Sequence, residues 1–223
     1  MSDMNNLQQA LYEKLHRRKP GIDKLDRLWE AAVLLPIVQT ADGPAMLFEV
    51  RALSLNRQPG EICFPGGKYE CEDASFAATA VRETCEELGL APDNITLCGE
   101  LDSLVTHMGP IIHPFVGIID DIDKITYSPS EVEEVFTVPL KELLAMEPAR
   151  YSMLLADKPK DDFPFELAPN RKRDWRFHKE YYVYFYQYKG YTIWGLTARM
   201  LYAFLRRSRQ VLEQAGLADG NEK

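Results

Sequence analysis

With 223 residues, 46% of them hydrophobic, the chain is long enough to bury a sizeable core and reads as one domain with elaborations. Its net charge of −8 argues against a nucleic-acid groove as the main function, although an acidic chain still binds polyphosphates where metal ions carry the local positive charge. The N-terminal residues form no apolar signal segment and no apolar run approaches the roughly 18 residues of a membrane span, so the expected address is the cytoplasm, with no membrane partner.

In chain order, Leu7, Leu11 and Leu15 give residues 7–17 a helical period that Pro20-Gly21 ends, the pattern of an N-terminal packing helix. Strand-like runs follow at 31–38 and 45–51. Phe64-Pro65-Gly66-Gly67 then makes a turn whose glycines can take positive φ and bring backbone close to a phosphate or metal. The next helix is expected over 74–88, with Asp73 as its N-cap and Gly89 as its stop. Glu83, Glu86 and Glu87 fall in one sector of that helix, with Ala77, Ala78, Val81, Cys85 and Leu88 opposite. Further strands are expected at 97–104, 111–119 and 181–188. A last helix over 195–214 places Leu196, Met200, Phe204 and Leu205 on one face, which should cover the sheet. The order describes an α/β protein, a mixed sheet sandwiched by helices.

Three like charges at i, i+3 and i+4 repel by a few tenths of a kcal/mol per pair, so something positive should compensate. Hard oxygen ligands of this kind suit Mg²⁺ or Mn²⁺, which also bridge substrate phosphates. A solvated helix face can carry the same residues, but the Gly-Gly turn before this one favours a metal site for pyrophosphate chemistry. Arg82 flanks the acidic face, where a guanidinium holds a carboxylate by paired contacts. Arg51 and Arg57 precede the turn and are read both as phosphate contacts and as strand-end charges. Glu131, Glu133 and Glu134 are loop carboxylates before a strand, weighed against a solvated turn. The basic run Arg171-Lys172-Arg173 reads as a solvated loop, and His107 and His113 as satisfied structural histidines. Cys63, Cys71, Cys85 and Cys98 show neither metal nor redox spacing and read as buried or idle thiols.

These residues resemble the Nudix box, G-x(5)-E-x(7)-R-E-U-x-E-E-x-G-U with U aliphatic. Arg82 to Leu90 matches its second half, with Thr84 in the first aliphatic place. The first half departs: Asp73 stands where a Glu is expected, with eight residues instead of seven between it and Arg82, which leaves the first acidic residue open among Glu70, Glu72 and Asp73. A similar insertion belongs to the coenzyme A pyrophosphatase branch, whose upstream pattern is L-L-T-x-R-[SA]-x(3)-R-x(3)-G-x(3)-F-P-G-G. Arg51, Ala52, Gly60, Phe64, Pro65, Gly66 and Gly67 align with it without gaps, whereas Glu49 replaces the Thr and Asn56 the second Arg, with Arg57 one place later.

The resemblance implies a Nudix-type α/β/α sandwich over 28–215, between a helical extension at 1–27 and a tail at 216–223. It implies a metal-dependent hydrolase in which Glu83, Glu86 and Glu87 coordinate Mg²⁺ or Mn²⁺ and Arg82 orients them. The general base comes from the box helix or from a later loop, where Glu131, with Glu133 and Glu134 beside it, is the candidate, and Arg51, Arg57, Gly66 and Gly67 meet the substrate. The implied substrate is coenzyme A or acyl-coenzyme A, cut to 3′,5′-ADP and (acyl-)4′-phosphopantetheine. Hydrolysis of ADP-ribose or another nucleoside diphosphate derivative is the rival activity. A non-catalytic nucleotide sensor is the rival class, though a sensor has no need of three crowded carboxylates. Nudix proteins often dimerise, so a homodimer is expected on the same ground.

Overall fold

Alternation along two neighbouring strands decides the architecture. In β1 (Glu30–Thr40), Ala32, Leu34 and Val38 pack into one core while Val33, Leu35 and Ile37 pack into another. In β2 (Gly43–Arg51), Ala45 and Leu47 join the first core, and Met46 and Phe48 the second. A pleated strand sends successive side chains to opposite faces, so these strands form the middle of a sheet covered on both sides. The computed structural model describes residues 2–18, 22, 29–106 and 109–217.

The main sheet has eight strands. It runs β3 (Ile62–Cys63), β2, β1, β7 (Ile111–Ile119) and β5 (Ile95–Glu100), while β4 (Gly66–Lys68) pairs with β1, β6 (Leu104–Val105) with β7, and β8 (Val132–Pro139) with β2. The β1–β7 pair is parallel and the other pairs antiparallel, so the sheet is mixed. Helix α2 (Phe76–Leu88) closes one face through Ala80 and Leu88. On the other face lie α3 (Leu140–Ala145) and α4 (Gly195–Gln214), which contributes Met200, Leu201, Phe204 and Leu205 to the core as expected. The α/β sandwich with a mixed sheet is therefore the observed fold.

Three expectations need correction. A second, three-stranded antiparallel sheet, β11 (Tyr191–Trp194), β10 (Arg176–Tyr188) and β9 (Ala149–Asp157), extends well beyond the single strand expected at 181–188. The run at 97–104 is two strands, because β5 shifts register against β7 between Leu97 and Gly99 and ends at Glu100. Helix α1 (Ser2–Leu15) forms, but Leu7, Leu11 and Leu15 are each at least half exposed, so it does not pack as expected. No helix among the described residues is long and apolar enough to cross a membrane.

Candidate active site

Helix α2 begins two residues later than its sequence suggests. Ser75 is the N-cap, its Oγ accepting from the Ala78 N–H at 3.2 Å. Asp73, the expected cap, is instead the partner of Arg82: Nε and Nη2 donate to Oδ1 and Oδ2 at 2.9 and 3.0 Å, the paired geometry a guanidinium favours. Thr79 Oγ1 and the Glu70 N–H also donate to Asp73 Oδ2, at 2.9 and 3.1 Å. These hydrogen bonds, those from Arg82 foremost, hold the Asp73 carboxyl well below its usual range. Glu70 is exposed and Glu72 accepts from the Cys71 thiol at 3.0 Å, so of these three acids it is Asp73 that meets Arg82.

Fixed from behind in this way, Arg82 reaches forward to two glutamates, Glu83 Oε1 at 3.0 Å and Glu86 Oε2 at 3.2 Å. The three box glutamates do not share one open face. The Glu86 side chain is 56% exposed, that of Glu83 18%, and Glu87 as a residue only 6%. The helix is covered on a second side by β4 and by the chain after β7, so Thr79, Ala80, Thr84 and Glu87 are buried together. Thr84, in the aliphatic place of the box, satisfies its hydroxyl by donating to the Ala80 carbonyl at 2.7 Å.

The glycines of the turn make room for these carboxylates. The Gly66 N–H donates to Glu87 Oε2 at 2.8 Å, and Gly66 takes φ +149° with the Ala32 carbonyl oxygen 2.4 Å from where a Cβ would stand. A Cβ on Gly67 would lie 2.3 Å from the Glu83 carboxylate. At the far end of α2, Gly89 caps in the left-handed conformation, and the next segment is tied down by Thr126 N–H to the Leu88 carbonyl and Ser128 N–H to the Glu87 carbonyl, both 2.9 Å. That segment leads to Glu131, which is exposed and whose charge acts on Glu49, Glu83 and Glu87. Glu133 and Glu134 lie on β8 itself, and Glu134 accepts from the Tyr191 hydroxyl at 2.5 Å.

Burial is the first cause that raises the pKa of Glu83, and it pushes Glu87 up to about 9 with added repulsion from Glu49, Glu83 and Glu131. Glu49, noted in the sequence only as a departure, is 1% exposed and pushed up to about 7, again chiefly by burial. The available signal was strand parity: Glu49 follows Ala45 and Leu47 onto the face of β2 that meets α2. Its Oε1 accepts from Cys63 Sγ at 3.1 Å, and the thiol is pushed up by burial and by Glu49.

Among the described residues no three His, Cys, Asp or Glu side chains stand as a ready-made ion-holding group. Glu83 and Glu86 each engage Arg82 through one oxygen, and Glu87 engages Gly66. Arg51 ends β2 and lowers the pKa of Glu49, its Nε donating to the Arg57 carbonyl at 3.4 Å, while the Arg57 residue is exposed. The basic run is not simply solvated, since Arg171 pairs with Asp157 and Arg173 lies 4.1 Å over the Phe165 ring. His113 stacks on Phe76 at 3.7 Å and bonds Ser103 Oγ at 2.9 Å, as a structural histidine should. His107 lies outside the described residues.

The NUDIX domain family matches residues 29–157. The Nudix hydrolase NudL of Photorhabdus laumondii is 32% identical over 172 residues, 77% of this chain and 81% of that protein. NudL of an Enterobacter species is 33% identical over 188 residues, covering 84% and 86%. The peroxisomal coenzyme A diphosphatase NUDT7 of Mus musculus is 38% identical over 113 residues, 51% of this chain and 48% of that protein, about half the length of each. Among solved structures, a MutT/nudix family protein from Enterococcus faecalis aligns over 94% of this chain and 74% of its own, at 15% identity and TM-score 0.49. By its domain match and its similarity to NudL along most of both chains, the chain belongs to the NUDIX family, as a Nudix hydrolase.

Proposed function

We propose that the chain is a divalent-metal-dependent pyrophosphate hydrolase that cleaves coenzyme A or acyl-coenzyme A to 3′,5′-ADP and (acyl-)4′-phosphopantetheine. The observation that supports this most is the gathering of Glu49, Glu83 and Glu87, whose ionisation burial opposes first and the neighbouring carboxylates, Glu131 among them, oppose further. Such a set is stable with its charge only beside a cation. The residues fit Mg²⁺ or Mn²⁺ in chemistry: every donor is a carboxylate oxygen, and Glu49 Oε2 is buried without a hydrogen-bond partner.

Glu83, Glu86 and Glu87 would hold the ion, each carboxylate having a second oxygen beyond the one given to Arg82 or Gly66. The ion, when bound, neutralises phosphate oxygens and lowers the pKa of a bound water. Arg82, fixed by Asp73, orients Glu83 and Glu86. Glu131 accepts the proton of the attacking water. Gly66 and Gly67 leave the backbone bare where phosphate approaches, and Arg51 and Arg57 meet the substrate's phosphates through their planar donors. The substrate assignment is supported by the ungapped likeness of the Arg51–Gly67 segment to the coenzyme A pattern and by the similarity to a coenzyme A diphosphatase.

A panel of coenzyme A, dephospho-coenzyme A, ADP-ribose, NADH and diadenosine polyphosphates, with products identified by mass, tests it. Coenzyme A should give the highest kcat/KM. Dephospho-coenzyme A should be poorer by about 10-fold if arginine reads the 3′-phosphate. A higher kcat/KM for ADP-ribose would overturn the coenzyme A assignment and leave the hydrolase reading intact.

A further inference from the structure

Glu49 is the buried side chain of the cluster that the box does not supply, and its surroundings ask for a positive partner. It is 1% exposed, on the face of β2 that meets α2, opposite Cys63 across the β2–β3 pair. One oxygen, Oε1, accepts from the Cys63 thiol at 3.1 Å, while Oε2 is buried with no hydrogen-bond partner. A buried carboxylate oxygen left unmatched in this way costs several times what an exposed one does. Its acidic neighbours worsen the position: Glu87 and Glu131 act on it with the same sign, against the Cys63 hydrogen bond and the Arg51 charge. The Cys63 thiol is a weak donor and leaves most of the demand unmet.

Resting on the reading of the cluster as a cation site, we propose that Glu49 is a further carboxylate of that site, its Oε2 facing the same divalent ion as Glu87. The position carries a hydroxyl in the coenzyme A-type pattern, so this oxygen is a property of the present chain. An added anionic donor beneath the helix makes the ion more tightly held than Glu83, Glu86 and Glu87 alone would make it. It also ties β2 to α2 through the ion, so binding steadies the sheet–helix contact as well as the substrate site.

The test is Mn²⁺ binding by the full-length protein, followed as loss of the free-ion electron paramagnetic resonance signal, with no substrate present. Wild type, Glu49→Gln, Glu49→Thr and Glu86→Gln are compared after circular dichroism has shown each to be folded. The glutamine keeps the shape of the side chain, and the threonine supplies the residue of the pattern should the glutamine fail to fold. Both Glu49 variants should bind Mn²⁺ about 10-fold more weakly or worse. Wild-type affinity in either folded Glu49 variant, with Glu86→Gln weakened, would overturn the role of Glu49 and leave the box site standing. No Mn²⁺ binding by wild type would overturn both.

Discussion

At the residue scale, one helix carries three glutamates in three environments, and their substitutions should separate accordingly. Glu86→Gln and Glu87→Gln should each lower the hydrolytic rate by about two orders of magnitude or more, the scale of losing an electrostatic contact in the transition state. Their effects on stability should differ. Glu86 is largely exposed and its loss should barely move the metal-free melting temperature, whereas replacing the buried Glu87, which must take up a proton on folding at pH 8, should raise it. Gln at 87 keeps an oxygen for the Gly66 N–H, so the fold has nothing to lose there. Near wild-type turnover at low Mg²⁺ in either variant would remove that residue from the ligand set. Arg82→Lys should impair turnover more than folding, since an ammonium cannot keep both contacts to Asp73 and still reach Glu83 and Glu86; equal activity at saturating substrate would show that a point charge suffices. Asp73 shows why its pairing escaped the sequence: a carboxylate three residues before a helix reads locally as a cap, while its partner stands nine residues on. Glu49 escaped because a lone acid in a strand pattern reads as solvent-facing, though its parity with Ala45 and Leu47 puts it inside.

At the element scale, the close approach of β4 to α2 sets Gly66 against Glu87 and Gly67 against Glu83, and the two glycines should affect the proposed site differently. Gly67→Ala would put a methyl against the far end of the Glu83 side chain, which can move aside. Activity should fall with little change in melting temperature. Gly66→Ala meets backbone of β1 at a φ that an L-residue rarely adopts, so the loss should be chiefly of stability, about 1–3 kcal/mol, read by thermal or urea unfolding. The reverse ranking would mean that the turn serves the sheet alone. Strand β7 was legible from end to end because nine residues, nearly all buried, form one apolar run between turn residues. Strand β9 was not, because its residues from Ala149 to Leu154 are all exposed and leave no alternation to read. Helix α1 has the right period, but its leucines are exposed, and periodicity reports a helix without reporting what covers it.

At the scale of the whole molecule, the buried acids make stability depend on pH and on ions together. Glu49 and Glu87 have folded-state values near 7 and 9 against an ordinary 4.5, so between 4.5 and those values the folded chain holds more protons than the unfolded one. Stability of the metal-free protein should therefore fall as pH rises through that window, and saturating Mg²⁺ or Mn²⁺ should flatten the fall. Metal-free unfolding curves that strengthen between pH 5 and pH 8 would contradict it. The measurement that bears most directly on the central claim is the rate of coenzyme A hydrolysis by the wild-type chain, with products resolved by mass, in Mg²⁺ or Mn²⁺ and again after chelation. The carboxylate site as described predicts 3′,5′-ADP and 4′-phosphopantetheine with metal and no products after chelation, with activity restored when the ion is returned. Hydrolysis that survives chelation, or no hydrolysis of any diphosphate in the panel with metal present, would contradict it.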